Sequence, residues 1–303
     1  MSEYNQEKLT ADVVAAFAST PDARLRELMT ALVKHVHAFA REVDLKPEEW
    51  LAGLRFLTRT GQISTETRPE FILLSDVLGL SMMVVSLAQA RASGSQGAAE
   101  ATEATVEGPF YWLDAPETAW GGDIAVGVPG EPTWYTGRVT DTEGRPIAGA
   151  LLDVWSGDGD GKYDMQLSPE PTMRARGRVR ADRDGRYAFW SIRPAYYPIP
   201  DDGPVGEMMR MCARGINRPG HIHMMVSAPG HVPLTTHVFV ANSPYIDEDA
   251  VFGKRDSLVT EFAEHAPGTA PDGRRLDRRW HSASYDFRLA PALATRTAET
   301  EPA

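Results

Sequence analysis

The hydrophobic period changes once along this chain, near residue 105, and that change limits the fold more than any other feature. Upstream, apolar residues recur every three or four positions. In "RLRELMTALVKHVHAFAREV", Leu25, Leu28, Leu32, Val36 and Phe39 fall on one stripe, the pattern of an amphipathic helix. "KPEEWLAGLRFLTRTGQ" places Pro47 near a helix start, acids in the first turn and Gly61 past the end, with Trp50, Leu54 and Leu57 as its stripe. "RPEFILLSDVLGLSMMVVSLAQARA" predicts a third helix. It is apolar nearly all round, so it belongs in an interior or at a subunit contact. "SGSQGAAEATEA" (93–104) then breaks the period as a linker.

Downstream the texture is different. Runs such as "WYTGRVT", "ALLDVWS", "GRYAFWSI", "HIHMMVSA" and "TTHVFVA" alternate with turn signals such as "DTEGRP", "GDGDGK" and "DRDG". Short strands at regular spacing predict an antiparallel β-sandwich or barrel. "WHSASYDFRLAP" reads as a closing strand, and the polar tail beyond it as disordered. The expected class is therefore α+β: a helical domain with its linker over 1–104, a β-sandwich domain over 105–290, and a tail over 291–303.

Composition narrows the function classes. A formal charge of −11 argues against a nucleic-acid partner, which needs a basic face. No apolar run reaches the roughly 18 residues of a membrane span, and "MSEYNQEKLT" lacks the pattern of a secretory signal. Cys212 is the only cysteine. That excludes an intrachain disulfide, fits a reducing compartment, and points to the cytoplasm. Cys212 itself reads as a small packed residue.

Two histidine pairs share one spacing. His35 and His37 lie in a helix, where positions i and i+2 are about 200° apart and cannot chelate one ion. His221 and His223, in "NRPGHIHMMV", lie in an expected strand of period two. Both imidazoles then leave the same face while Ile222 leaves the other, which makes half of a metal site or two polar residues on an outer face. Two tyrosines occupy unusual loops: Tyr163 ends "DVWSGDGDGKYD", and Tyr197 sits in the proline-stiffened "RPAYYPIPDDGPVG". A phenolate is a hard, electron-donating ligand suited to Fe(III), and a packed aromatic is the alternative for either residue alone.

The stretches "TVEGPFY", "GRVTDTEGRPIAGALLDVWSGDGDGKYD", "RPAYYPIPDDGPVG", "RPGHIHMMVSAPGH" and "LTTHVFV", in this order, resemble the intradiol ring-cleaving dioxygenases of the catechol and hydroxyquinol type. The helical region resembles that family's N-terminal domain. The resemblance implies a mononuclear non-haem Fe(III), one per subunit, held by Tyr163, Tyr197, His221 and His223. Tyr196 is adjacent to Tyr197, and Tyr197 is preferred because the family's ligand directly precedes "PIP". It also implies cleavage of a 1,2-dihydroxybenzene between its hydroxylated carbons, with both atoms of O2 incorporated. Tyr197 would be the displaceable ligand that accepts a substrate proton. Arg218 would stabilise developing negative charge from a place at the pocket rim.

By the same resemblance the pocket is walled by Leu73, Asp76 and Leu80 from the third helix. Val106, Pro109 and Phe110 add a second side, with Ile199, Pro200, Val251 and Phe252 completing it. His237 stands where catechol enzymes more often carry glutamine, and would steer the iron ligands. "THVFV" and "DEDAVFG" resemble hydroxyquinol and chlorocatechol enzymes more than plain catechol enzymes, and "RPAYYPIPDDGPVG" leans toward hydroxyquinol (1,2,4-trihydroxybenzene) as substrate, with catechol or a chlorocatechol as alternatives; Asp76 would meet the extra hydroxyl. Relatives pair through the helical domain, so a homodimer is expected, with a phospholipid at the contact. Two rival readings are a non-catalytic transthyretin-like sandwich module and an extradiol enzyme using Fe(II) with two histidines and a carboxylate.

Overall fold

A computed structural model describes residues 5–65, 68–93, 101–168 and 172–292. The chain forms two compact units, Met1–Gln62 and Ile63–Ala303. Most of the expected linker and the tail from 293 onward lie outside the described residues.

The first unit contains α1 (Gln6–Ala16), α2 (Ala23–Glu42) and most of α3 (Pro47–Ile63). α1 was not anticipated from the sequence. Its N-cap Asn5 accepts from the Glu7 amide at 2.8 Å, and the α2 cap Asp22 accepts from Leu25 at 2.7 Å. The α2 stripe stays open: Leu28, Leu32 and Phe39 are 49%, 55% and 55% exposed. His35 is exposed, whereas His37 turns to the other side, its Nδ1 3.0 Å from Thr10 Oγ1. The helical pair does diverge as its period requires.

The second unit begins with α4 (Glu70–Val77) and α5 (Leu80–Ser93). One continuous helix was expected here. The break falls at Gly79, whose φ of +72° ends α4 in a left-handed turn, and the two helices meet at 74°. Among the described residues, no single helix is long and apolar enough to cross a membrane.

The strands follow: β1 (Glu117–Thr118), β2 (Pro132–Asp141), β3 (Leu151–Trp155), then a helical turn α6 (Asp164–Leu167), β4 (Arg176–Arg180), β5 (Arg186–Ile192) and β6 (Tyr197–Pro198). After α7 (Pro204–Met211) come β7 (Asn217–Arg218), β8 (His221–Ser227), β9 (Leu234–Val240), β10 (Val259–Thr260) and β11 (Ala263–His265). β12 (Gly268–Thr269), β13 (Arg275–Leu276), β14 (Trp280–Ser284) and β15 (Phe287–Leu289) complete the chain. One sheet runs β1-β4-β3-β8-β9-β10 and the other β11-β14-β2-β15, with β5 on the free edge of β2. Interior pairs of the first sheet are antiparallel, but β1–β4, β9–β10, β2–β14 and β2–β15 are parallel. The sandwich is thus mixed rather than wholly antiparallel. The expected closing strand is divided into β14 and β15, both on β2, and Asp286 between them accepts from the Arg138 amide at 2.8 Å. Cys212, just past α7, is exposed rather than packed.

Alternation sets what each face carries. In β8, Ile222, Met224 and Val226 join Leu152, Val154 and Val238 in the core. His221 and His223 therefore leave the opposite face. Cross-strand register places Trp155 on β3 beside His223, and His237 on β9 on its other side. That face is also dry, because loops carrying Phe110, Tyr111, Tyr163 and Tyr197 cover it.

Gly137 marks the tightest approach in the second sheet. A Cβ there would lie 1.8 Å from the Tyr285 carbonyl oxygen, which is backbone and cannot yield. Gly137→Ala is expected to cost about 3 kcal/mol, read as a lower urea midpoint with an unchanged slope.

Candidate metal centre

The site is assembled on the covered face of the six-stranded sheet. His221 and His223 are both 1% exposed, and their Nε2 atoms stand 3.2 Å apart. The His221 ring is oriented by its Nδ1, 2.7 Å from the Pro219 carbonyl. A donated Nδ1–H leaves the Nε2 lone pair facing inward. His223 Nδ1 is buried with no hydrogen-bond partner among the described residues. Trp155 stacks on its ring at 4.7 Å.

Tyr163 reaches this point from the loop before α6. It is fully buried, and its Oη is 2.8 Å from His223 Nε2. Its amide donates to Gln166 Oε1 at 2.9 Å, and Phe110 stacks on its ring at 4.3 Å. The next residue, Asp164, forms an ion pair with Arg176 at 2.5 Å in which both side chains are about 1% exposed. Arg176 also donates to the Phe110 carbonyl at 2.6 Å. Gly161 allows the Gly/Asp loop to lie against the Tyr197 segment: a Cβ there would be 2.6 Å from the Tyr196 carbonyl oxygen.

Tyr197 and Tyr196 are separated by strand alternation. Tyr197 is buried, its ring 5.4 Å from that of Tyr163. Tyr196 is 44% exposed and packs on Tyr245 instead. β6 pairs with β7 so that Tyr197 stands opposite Arg218. Arg218 Nη1 is 3.3 Å from Tyr197 Oη and 3.2 Å from His221 Nε2. It is only 3% exposed, an interior group rather than a rim residue. What holds it inside is Asp249, which accepts from Nε at 3.0 Å and Nη2 at 3.3 Å. Asp249 was not anticipated as a site residue: its partner lies 31 positions away, and in "DEDAVFG" the sequence points only to substrate type and to Val251 and Phe252.

The remaining expected pocket residues divide. Leu73, Asp76, Pro109, Phe110 and Pro200 line one cleft of about 60 Å³, shared with Arg68 and Glu70. Val106, Ile199 and Val251 are buried. Leu80 and Phe252 are 56% and 48% exposed and stand outside that cleft. Phe252 carries the Arg214 guanidinium 4.9 Å from its ring centre instead. His237 is fully buried, with Nδ1 3.0 Å from Thr105 Oγ1. Its ligand atom lies with those of His221 and His223 inside a 4.8 Å group.

Electrostatics follow from dryness. Burial, then the Arg218 charge, depresses the His221 pKa to about 3. Burial and neighbouring imidazoles and Arg218 depress His223 and His237 well below the ordinary value. Burial pushes the Tyr163 phenol well up, and the adjacent Tyr197 adds to it. Burial opposes ionisation of both Arg218 and Asp249, but their mutual attraction wins, raising Arg218 and lowering Asp249. Burial raises the Asp76 carboxyl, a rise that Ser81 and Arg218 partly reverse.

These groups fit a cation. Two imidazole nitrogens face one another at 3.2 Å with a phenol oxygen at 2.8 Å, a convergence of donor atoms that a cation could take up. Two nitrogen donors with two phenol oxygens nearby suit a hard, high-valent ion.

The neutral imidazoles also set a pH dependence. Their folded pKa values lie below the unfolded value of about 6.5, so their stabilising effect is present above that value and is lost as pH falls toward about 3. The melting temperature of metal-free protein is expected to fall steadily between about pH 6.5 and about pH 4. A flat profile across that window would mean that the imidazoles are not held neutral.

Comparison with known proteins places the chain in a family. The family described as "Dioxygenase" matches residues 106–291, and "Catechol dioxygenase N terminus" matches 22–96. The chain is 47% identical over 289 residues to a hydroxyquinol 1,2-dioxygenase of Rhodococcus opacus, covering 94% of each protein. It is 47% identical over 293 residues to a 6-chlorohydroxyquinol 1,2-dioxygenase of Cupriavidus pinatubonensis, covering 97% of this chain and 100% of that one. A solved hydroxyquinol 1,2-dioxygenase from Pseudomonas putida DLL-E4 superposes with a TM-score of 0.85 at 40% identity, covering 95% of this chain and 99% of its own. With its fold, its buried histidine cluster and near full-length identity all in accord, the chain belongs to the intradiol ring-cleavage dioxygenases.

Proposed function

We propose that this enzyme cleaves hydroxyquinol between its two adjacent hydroxylated carbons, giving 3-hydroxy-cis,cis-muconate, the enol form of maleylacetate. The reading places one Fe(III) per subunit on Tyr163, Tyr197, His221 and His223. The observation that carries it is the convergence of His221 Nε2, His223 Nε2 and Tyr163 Oη, at 3.2 and 2.8 Å. For the substrate, the support is 47% identity to proteins named for hydroxyquinol and 6-chlorohydroxyquinol. A solved catechol 1,2-dioxygenase matches at 27%.

Bound ferric iron supplies the Lewis acid that takes up a catecholate and makes its ring reactive toward O2. The chain's own residues do the rest. Tyr197, on a ribbon of two short strands, would help hold the iron and would be the group placed to accept a substrate hydroxyl proton on its oxygen. Arg218 Nη1, 3.3 Å from that oxygen, stabilises negative charge there and on the substrate without surrendering a proton. Tyr163 keeps its position, clamped by Phe110 and by the cap at Gln166. Phe110, Pro109, Leu73 and Pro200 give the ring an apolar slot, walled further by Ile199, Val106 and Val251. Asp76, in the same cleft, accepts a hydrogen bond from the third hydroxyl.

A second reading makes His237 a ligand, because its nitrogen lies in the same 4.8 Å group. Its ring packs on those of His221 and His223, at 4.6 and 4.2 Å, which favours a supporting role. The proposal extends to assembly: the half-exposed stripe of α2 suits a homodimer through the N-terminal helices, with a phospholipid at the contact. A cytoplasmic location accords with the single cysteine.

Iron-loaded protein is expected to be wine-red and to turn hydroxyquinol over faster than catechol or chlorocatechols, with an ultraviolet-absorbing muconate and no yellow semialdehyde. Colourless, inactive protein after iron loading would sink the reading. Tyr197→Phe should weaken the visible band and slow turnover by about 100-fold, whereas Tyr196→Phe should change neither. His237→Gln should retain iron and colour; loss of the metal in that variant would make His237 a ligand.

A further inference from the structure

Arg218 brings its guanidinium against the histidine–tyrosine cluster, and only one of its nitrogens faces that cluster. The other two are taken by Asp249, through Nε to Oδ1 at 3.0 Å and Nη2 to Oδ2 at 3.3 Å. Asp249 is fixed in turn by three backbone amides: Val251 donates to Oδ1 at 3.3 Å, and Gly253 and Lys254 each donate to Oδ2 at 3.0 Å. Both side chains of the pair are about 3–4% exposed. A carboxylate tied by five donors cannot rotate independently of the 249–254 segment.

Gly253 closes this arrangement sterically. A Cβ there would lie 2.9 Å from Arg218 Nη2, 3.2 Å from Asp249 Oδ2 and 3.5 Å from Thr105 Oγ1. The first distance is shorter than side chains tolerate, so any larger residue must move the guanidinium or the backbone. Gly253 has no positive φ, and backbone strain does not add to the effect.

We propose that Asp249 and Gly253 are positioning residues for the reaction: Asp249 docks two nitrogens of Arg218, and the bare backbone of Gly253 leaves the space that lets Nη1 stand against Tyr197 Oη and His221 Nε2. Neither touches substrate. The inference rests on the reading that Arg218 acts on bound substrate. Misplacement of such a group by a fraction of an ångström to an ångström costs up to about 100-fold in rate. Arg rather than Lys is required, since only the planar fork can be gripped on one edge and present the other.

The test uses free guanidinium as the probe. Removing the side chain in Arg218→Ala leaves Asp249 as an empty dock. Millimolar guanidinium is expected to raise the melting temperature of metal-free Arg218→Ala protein, with urea giving no such rise. It should also restore part of the lost turnover in the iron-loaded variant. In Arg218→Ala/Asp249→Asn both effects should be lost. Gly253→Ala, which alters no charge, should lower kcat about tenfold with KM within about twofold and the visible band retained. Equal stabilisation by guanidinium with and without Asp249, or full kcat in folded Gly253→Ala protein, overturns the inference. Wild-type turnover in Arg218→Ala would instead overturn the role given to Arg218, and the melting-temperature comparison would still decide whether Asp249 is the dock. If the double variant does not fold, Gly253→Ala decides alone.

Discussion

The structure depends on the confrontation of two imidazole lone pairs in a dry interior. His221 and His223 direct their Nε2 atoms at each other across 3.2 Å because strand alternation gives them no other direction. Water cannot relieve them, since Trp155, Phe110, Tyr163 and Tyr197 close over that face. Arg218 Nη1 at 3.2 Å from His221 Nε2 and Tyr163 Oη at 2.8 Å from His223 Nε2 are the groups that answer them, and burial makes charging either imidazole costly. A cation on the inward lone pairs removes the conflict. The loops over the sheet are therefore parts of the site rather than connections that happen to lie near it.

How much of this could be read in advance varied with the range of the interaction. The His-x-His face was legible because period two is local, and Ile222, Met224 and Val226 point to the core as the alternation required. The choice of Tyr197 over Tyr196 rested on family resemblance, and alternation now places Tyr197 inside and Tyr196 44% exposed. Strand direction was not legible: β14 and β15 pair parallel to β2 after long connections, and no residue pattern encodes that. The break at Gly79 was hidden in a stretch that is apolar on both sides of it, where no single stripe marks where one helix ends, although Phe71, Ile72, Leu78, Leu80 and Met83 stay about half exposed. Arg218 looked like a rim residue, since an arginine is seldom buried without a partner and its partner is remote in sequence.

Two buried arginine–carboxylate pairs flank the ligand cluster, and they solve one problem twice. Arg176 with Asp164 ties β4 to the Tyr163 loop and to the Phe110 carbonyl. Arg218 with Asp249 ties β7 to the 249–254 segment. Each pair brings two charges out of water, so neither is an efficient source of stability. Removing one partner, however, leaves a buried charge unanswered, at about 3–5 kcal/mol. Such pairs are poor at strengthening a fold and good at forbidding alternatives to it. Around a site whose donors come from a sheet and two separate loops, that is the more useful property.

The two pairs are not equivalent in what they restrain, and the difference bears on the two tyrosines. Tyr163 is followed directly by paired Asp164, its amide is capped by Gln166, and its ring is stacked by Phe110. Nothing near it can move without breaking several contacts. Tyr197 is held by a ribbon of two residues per strand, with Arg218 opposite as its register partner. The Arg218 guanidinium is fixed from behind by Asp249, and the single 3.3 Å contact to Tyr197 Oη is the looser end. A phenol on that ribbon can swing while the cation it leaves stays in place to meet the charge that replaces it. The proposed division between a permanent and a displaceable tyrosine thus has a mechanical basis in how each loop is anchored, independent of the metal both would share.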